Sequence, residues 1–561
     1  MAAASSSACA WRSDWRRQGG VTIHRREFNR ALAGGLFAAA GAGQGVSRPN
    51  IVFLLTDDQR RDSLGCYGNR EIRTPHIDRL AGEGVLFERA FVTSAICTPS
   101  RASYFLGQYE RRHGVNFNSG TSLAPAAWED SYPMRLRKSG YFTGYVGKNH
   151  VPLGPRGYQS GILEKSFDFW YAGHQHLTFY PKQRHPIFRF AKAGTQPEVL
   201  EEGALSFLDS QGAFIAGAEA FLKQRPANQP FCLSLCFNLP HRAGTGSMRQ
   251  LPADRELYRT AYRDRINEFA LPGNYIPKAG IRAPRIPANV LYAQFRQNSY
   301  NYVDTEAALR EHQVRVYQTV TGIDDVLGAL RGQLKKLGLE RNTVIVFASD
   351  HGIMAGEFGL GGKALNYEPC LRIPMIVMDP RLPEPRRGQR LGQLVQSIDV
   401  APTLVDLAGL PAPAAMQGRS LAPLLRGEKV PWREYVFAEN LWSTTFGNPR
   451  VESVRSADWK YIRYFATGRS LFQKSEGEQA RAYLSWLTAS VRGLKPDYEE
   501  LFHVAADPNE TANLARDPKN APMLARMREE CDRQVREAKG DLDAPPLTLP
   551  LPAGATATPA E

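Results

Sequence analysis

Pro49-Asn50-Ile51-Val52-Phe53-Leu54-Leu55-Thr56-Asp57-Asp58 is the stretch whose reading decides the architecture. An uninterrupted apolar run of this length, without alternation, predicts a strand buried on both faces. Its C-terminal end hands two carboxylates to a loop, and in open α/β sheets that is the edge where ligands bind. Thr74-Pro75-His76-Ile77-Asp78, closed by Gly84, carries the start and stop signals of a crossover helix. Similar apolar runs recur at Tyr141 to Gly147, Pro230 to Asn238, Thr343 to Ser349 and Ile373 to Met378, with helical periodicity between them, most clearly over His312 to Leu337. The expected fold is α/β, a large mixed, mostly parallel sheet flanked by helices.

Composition narrows the class. With 561 residues, 43% apolar and 22% charged, the chain has the makeup of a soluble protein with a large core. Seventy basic against 56 acidic residues give a formal charge of +14, which suits anionic substrates or surfaces, or else a solvated basic face with no partner. No arginine-rich run or RNA motif is present, so nucleic acid is not an expected partner. His24-Arg25-Arg26-Glu27-Phe28 precedes a small, apolar stretch from Ala31 to Ala42, the order of an export signal that resembles the twin-arginine type. The stretch is shorter than the roughly 20 apolar residues that span a bilayer, so no stable membrane span is expected and the mature chain belongs in the periplasm or outside the cell. Of seven cysteines, Cys232 and Cys236 would lie roughly 13 Å apart on one strand, beyond disulfide reach, and no pattern forms a disulfide framework or zinc site.

The segments expected are an export signal over 1–42, a catalytic domain over 48–430, a smaller C-terminal α+β subdomain over 431–540 and a disordered tail over 541–561. Val395 to Leu410 reads as a helix carrying Asp399. Residues 152–200 and 243–300 show no clear periodicity and read as functional loops. Oligomeric state has no signature here.

The chemistry centres on Cys97-Thr98-Pro99-Ser100-Arg101, which reads as a proline-stiffened turn. Asp57, Asp58 and Asp350 offer hard oxygen ligands from two strand ends, which suits Ca²⁺ or Mg²⁺ better than zinc. Lys148, His150, His241 and Lys363 stand at strand ends or in adjoining loops. Alone, each has a plainer reading: Asp57-Asp58 a helix cap, Arg101 a carboxylate partner, Lys148 and His150 a loop pair, His241 a core residue, Lys363 a solvated one. Their order along the chain, all arriving at one rim, outweighs those readings.

The ordered set Arg48-Pro49-Asn50, Thr74-Pro75-His76, Gly147-Lys148-Asn149-His150, Asn238-Leu239-Pro240-His241, Asp350-His351-Gly352, Gly356 to Lys363, Ile398 to Thr403 and Ala506-Asp507-Pro508-Asn509-Glu510 resembles the type I, formylglycine-dependent sulfatases of the alkaline phosphatase superfamily. That resemblance implies an alkaline-phosphatase-like fold and oxidation of Cys97 to 3-oxoalanine (formylglycine) by a formylglycine-generating or radical maturation enzyme. One hydroxyl of its hydrate attacks sulfur, and the second loses its proton to expel sulfate. It further implies that Arg101 and Lys148 hold the hydrate and the sulfate, that His150 is the base, and that His241 and Lys363 bind sulfate oxygens and steady the leaving oxygen. Asp57, Asp58, Asp350, His351 and the modified Cys97 would surround one ion.

The expected reaction is hydrolysis of a sulfate ester, on a sulfated small molecule or glycan. A phosphonate monoester or phosphodiester hydrolase with the same nucleophile is the first alternative, disfavoured by Lys148-x-His150. A catalytically silent sulfoglycan-binding protein is the second. The chain departs from the family at Leu106-Gly107 in place of Thr-Gly, at His351 where Asn is commoner, and at Asn149 in place of an aromatic. Recognition loops are expected around His174 to His185 and Arg242 to Arg285, with Tyr180, Arg184, Arg242 and Tyr258 as sugar-facing residues.

Overall fold

The run Ile51–Leu55 lies inside strand β1 (Asn50–Thr56), buried along its whole length. A computed structural model of the chain describes residues 48–117, 121–155, 157–174, 204–241, 256–291, 300–442, 448–468, 470–471, 474–544 and 547–550. From Arg48 onward they belong to one unit. After β1 come β2 (Val85–Phe91), β3 (Thr121–Leu123), β4 (Phe142–Asn149), β5 (Phe169–His174), β6 (Phe231–Cys236) and β7 (Thr343–Ser349). Next are β8 (Met354–Ala355), β9 (Gly361–Gly362), β10 (Arg372–Ile373), β11 (Met375–Met378) and β12 (Gln389–Gln396). The last are β13 (Val436–Asn440), β14 (Arg450–Arg455), β15 (Lys460–Phe465), β16 (Tyr498–Phe502) and β17 (Thr548–Pro550).

Among the described residues, nine strands form one sheet in the order β10-β2-β11-β7-β1-β6-β4-β5, with β12 beside β2. The five from β7 to β5 run parallel. Strand β11 lies antiparallel to β7 and β2, so the sheet is mixed and mostly parallel, as expected. Its two faces divide β1 by the period of a strand: Ile51, Phe53 and Leu55 join one core, Val52 and Leu54 the other. The first core is shared with α2 (Cys97–Leu106) and the second with α1 (Pro75–Glu83) and the 31-residue helix Glu306–Lys336. Burial on both sides is why these strands read as continuous apolar runs.

Beyond it, β13-β14-β15-β16 make an antiparallel sheet on which the helix Ala521–Lys539 packs through Met527, Cys531 and Val535. This sheet grips the chain just before Cys97. Glu439 N donates to Thr93 O at 2.8 Å, and buried Arg111 bridges Glu439 at 2.9 Å and Glu452 at 2.5 Å.

Several local expectations need correction. Cys97-Thr98-Pro99 is the first turn of α2, where N–H groups have no helical acceptor and Pro99 therefore breaks nothing. The expected helix over Val395 to Leu410 is split, because β12 runs through Gln396 and the helix spans only Val400–Leu407. Asp399 sits in the short 3₁₀ turn between them and is paired with Arg433. Strand β5 arises within the stretch that showed no periodicity, since pairing with β4 supplies what local pattern does not. In the tail expected to carry no structure, Thr548–Pro550 pairs antiparallel with β3. The helix Glu476–Ala489 had no counterpart in the expectations. No helix among the described residues is long and apolar enough to cross a membrane, and the six cysteines described are free thiols.

Candidate active site

Strand register assembles the site. Leu55 pairs with Cys236, Cys236 with Gly147, and Thr56 with Ser349, so four parallel strands end within one residue of a common level. The side chain of Arg101 reaches across that row. Its Nε donates to Asp350 Oδ2 at 2.9 Å, its terminal nitrogens donate to the carbonyls of Phe237 at 3.0 Å and Lys148 at 3.4 Å, and one lies 3.4 Å from Asp57 Oδ2. One fully buried guanidinium thus touches the ends of β1, β4, β6 and β7. Arg101 lies four residues after Cys97 on α2, so the two share a helix face. Ser100 Oγ donates to Asp350 O at 2.5 Å and Tyr104 to Ser349 O at 2.8 Å, which docks α2 on the end of β7.

Around Cys97 Sγ stand Asp57 Oδ1 at 3.4 Å, His351 Nε2 at 3.3 Å and Lys363 Nζ at 3.0 Å. Lys363 also donates to Asp58 Oδ1 at 2.8 Å, and Lys148 Nζ to Asp57 Oδ2. His241 Nε2 lies 3.8 Å from Asp58 Oδ2. His150 follows β4 and is buried between the rings of Phe117 and Tyr158, at centroid distances of 5.9 and 6.3 Å. Lys148 takes its place because residue 147 is glycine: its φ is +103°, and a Cβ there would meet Cys236 O at 2.0 Å.

Charge and burial work against each other here. Burial opposes ionisation of Asp57, yet Lys148 and Arg101 overcome it and hold the carboxyl well below its usual range. Asp58 is pushed up, by burial and by Asp57 and Asp350, against Lys363 and His351. Burial and then Asp57 raise the Cys97 thiol, whereas for Lys363 burial is outweighed by Asp58 and Cys97, which hold the ammonium above its usual range.

The donor set fits a hard divalent ion. Ligand atoms of Asp57, Cys97, Asp350 and His351 lie within 4.8 Å of one another, as do those of Asp57, Asp58, Cys97 and His241. Asp58 Oδ2 is buried without a hydrogen-bond partner, and its residue holds a left-handed φ of 58°, strain of the kind found where a ligand position is over-determined. Three carboxylates suit Ca²⁺ or Mg²⁺.

Among the candidate catalytic and metal residues, Asp57, Asp58, Cys97, Arg101, Lys148, His241, Asp350, His351 and Lys363 are linked by these contacts, and His150 stands beside them between its two rings. Reading the sequence did miss the pair that joins the two loops of the site. Arg60 donates to Glu357 Oε1 at 2.6 Å and to Ile353 O at 3.1 Å, while Glu357 Oε2 accepts from Ala355 N at 2.5 Å. The loop after β1 is thereby tied to the hairpin β8–β9 that leads into Lys363; Glu357 lies within the Gly356 to Lys363 segment, but nothing in the sequence marks Arg60 as its partner. Tyr258 is corrected: it is buried in the core with Val314 and Val320 and faces no sugar. Tyr180, Arg184 and Arg242 lie outside the described residues.

With fold and site in view, the chain is placed by comparison. It belongs to the sulfatase family, a class of sulfuric ester hydrolases, whose sequence model matches residues 49–410. A second model, for the C-terminal part of N-sulphoglucosamine sulphohydrolase, matches 356–476. Among similar proteins is the N-acetylglucosamine-6-O-sulfatase of Bacteroides thetaiotaomicron, 26% identical over 75% of this chain and 79% of that one. Another is the human N-acetylglucosamine-6-sulfatase, 28% identical over 73% and 70%. Solved structures with the same fold include one in complex with its substrate D-glucosamine-2-N,6-O-disulfate, with 22% identity, a TM-score of 0.64, and coverage of 88% of this chain and 99% of that one. The phosphonate monoester hydrolase of Silicibacter pomeroyi also shares it, with 23% identity, a TM-score of 0.64, and coverage of 88% and 96%.

Proposed function

We propose that this protein hydrolyses sulfate esters on a sulfated carbohydrate, with Cys97 oxidised to formylglycine as the nucleophile and Ca²⁺, or alternatively Mg²⁺, held by Asp57, Asp58, Asp350 and His351. The observation that carries this reading is the ring of Asp57, His351 and Lys363 within 3.4 Å of Cys97 Sγ, at the shared end of four parallel strands. When bound, the cation supplies positive charge against the oxygens of sulfate and hydrate. A hydrated aldehyde at position 97 has one hydroxyl to attack sulfur, releasing the alcohol, and a second whose proton is removed so that sulfate leaves and the aldehyde returns.

Lys363, 3.0 Å from Sγ, is placed to neutralise charge developing on sulfate oxygens, with Lys148 on the Asp57 side. His241 flanks Asp58 and steadies the leaving oxygen, and His150 serves as base for the second hydroxyl. Arg101 is engaged by two carboxylates and two carbonyls, which supports a positioning role beside its binding of the hydrate. The match over 356–476 and the glucosamine sulfatases among the relatives make glucosamine sulfates the first substrates to try.

Mass spectrometry of the tryptic peptide Ala90 to Arg101 from the native host tests the nucleophile. An aldehyde at Cys97 is expected; a thiol in fully active protein overturns it. Parallel assays on aryl sulfate, phosphodiester and phosphonate esters test the reaction, and faster turnover of the phosphorus esters would reverse the order. Export is proposed through the twin-arginine route, which carries folded, already modified protein; replacing Arg25 and Arg26 by Lys should retain active enzyme in the cytoplasm.

A further inference from the structure

At the other end of β7 lies a cavity of about 750 Å³, the size of a site for a drug-sized ligand. Thr343, the first residue of β7, lines it, and six strand steps separate Thr343 from Ser349 beside Asp350, which sets the two sites roughly 20 Å apart. Five cationic side chains line the cavity, Arg79, Arg331, Lys335, Arg341 and Arg387, against the carboxylates of Glu83 and Glu340. Arg79 and Arg331 share Glu83, so that cluster keeps a positive excess. Lys335 and Arg341 are exposed and have no carboxylate partner among the described residues. Leu334 and Met378 back the cavity from the core and are almost wholly buried.

Where it borders this space the helix Glu306–Lys336 presents Arg331 and Lys335, with two glycines beside them. Gly328 and Gly332, one turn apart, both line it. A Cβ on Gly328 would meet the His76 ring at 2.6 Å, while one on Gly332 would have nothing within 4 Å. Glycine is disfavoured inside a helix; at Gly332 the missing side chain leaves room beside the cations, whereas at Gly328 the space is taken by the His76 ring.

We infer that this cavity is a second anion site, which takes sulfated oligosaccharide and holds a sulfated polymer on the enzyme away from the reacting residue. Fixed sulfate charges match the cations that line it. The choice of sulfated sugar over other anions rests on the proposed function, but the anion site itself does not.

The test is calorimetric titration of the full chain carrying Cys97→Ala, which prevents turnover, with a heparin-derived tetrasaccharide. Lys335→Glu/Arg341→Glu, and separately Gly332→Glu, should each remove one binding site per chain. Aryl sulfate turnover in the same substitutions on the active enzyme should remain at the parent rate, which also reports that they fold. Unchanged stoichiometry in both variants overturns the inference, and equal binding of a desulfated tetrasaccharide or of single-stranded DNA overturns the ligand class. Loss of a site in protein that never cleaves a sulfate ester would sink the proposed reaction and leave the anion site standing.

Discussion

Arg101→Met removes the group that ties four strand ends together while keeping most of the volume. It strands Asp57 and Asp350, both fully buried, with one cation fewer. Breaking a buried pair by deleting one partner costs about 3–5 kcal/mol. The carbonyls of Phe237 and Lys148 lose a donor as well, worth about 1–3 kcal/mol each if unsatisfied. These losses overlap, so a total near 5 kcal/mol is expected. A chain of this size melts with an entropy of about 1 kcal/mol/K, so the midpoint should fall by about 5 °C. Scanning calorimetry in EDTA and again in Ca²⁺ reads both consequences: a lower midpoint without metal, and a smaller rise on adding it. Arg101→Lys restores charge without the planar fork and should fall between wild type and Met. A Met variant that melts within about 1 °C of wild type and responds fully to Ca²⁺ would refute the claim that this guanidinium sets the ligand geometry.

Other consequences follow from the same structure. Gly147→Ala forces a Cβ to 2.0 Å from Cys236 O at a φ of +103°, so the unfolding free energy read from urea denaturation should drop by about 2–4 kcal/mol, and turnover should fall with it because Lys148 is displaced; wild-type values for both would contradict the assignment. Burial, and then Glu439, push Glu110 up to about 8 from 4.5, so the native state binds an extra proton between those values and this contribution to stability is full below pH 4.5 and lost as pH rises to about 8. Urea midpoints from pH 5 to 9 should therefore fall less steeply for Glu110→Gln than for wild type; parallel curves would exclude the effect. Removing divalent ions with EDTA should abolish turnover and lower the melting midpoint, and Ca²⁺ or Mg²⁺ should restore both; full activity in metal-free protein would count against the ion site.

Much of the sheet was legible because its strands are buried on both faces. Ile51–Leu55 and Thr343–Ser349 had no alternation to disguise them, and the residues after them, Asp57, Asp58, Asp350 and His351, had to emerge at the ligand-binding rim. Strands whose reason for existing is a partner were harder. β5 forms against β4, and β17 against β3, with no local pattern to announce them. The helix beginning at Cys97 was concealed by Pro99, which reads as a turn signal unless the first helical turn is already in view.

By itself, then, the amino-acid sequence determined which residue types are candidates for the proposed chemistry, in what order they come, and which of them leave strand ends, because those features depend on local hydrophobicity and on short spacings. Tertiary structure alone decided the distances between them. That Arg101 spans Asp57, Phe237, Lys148 and Asp350, that Arg60 meets Glu357 across 297 positions, and that Tyr258 faces the core all follow from strand register and helix packing, which bring together residues whose separation in sequence carries no information about their contact.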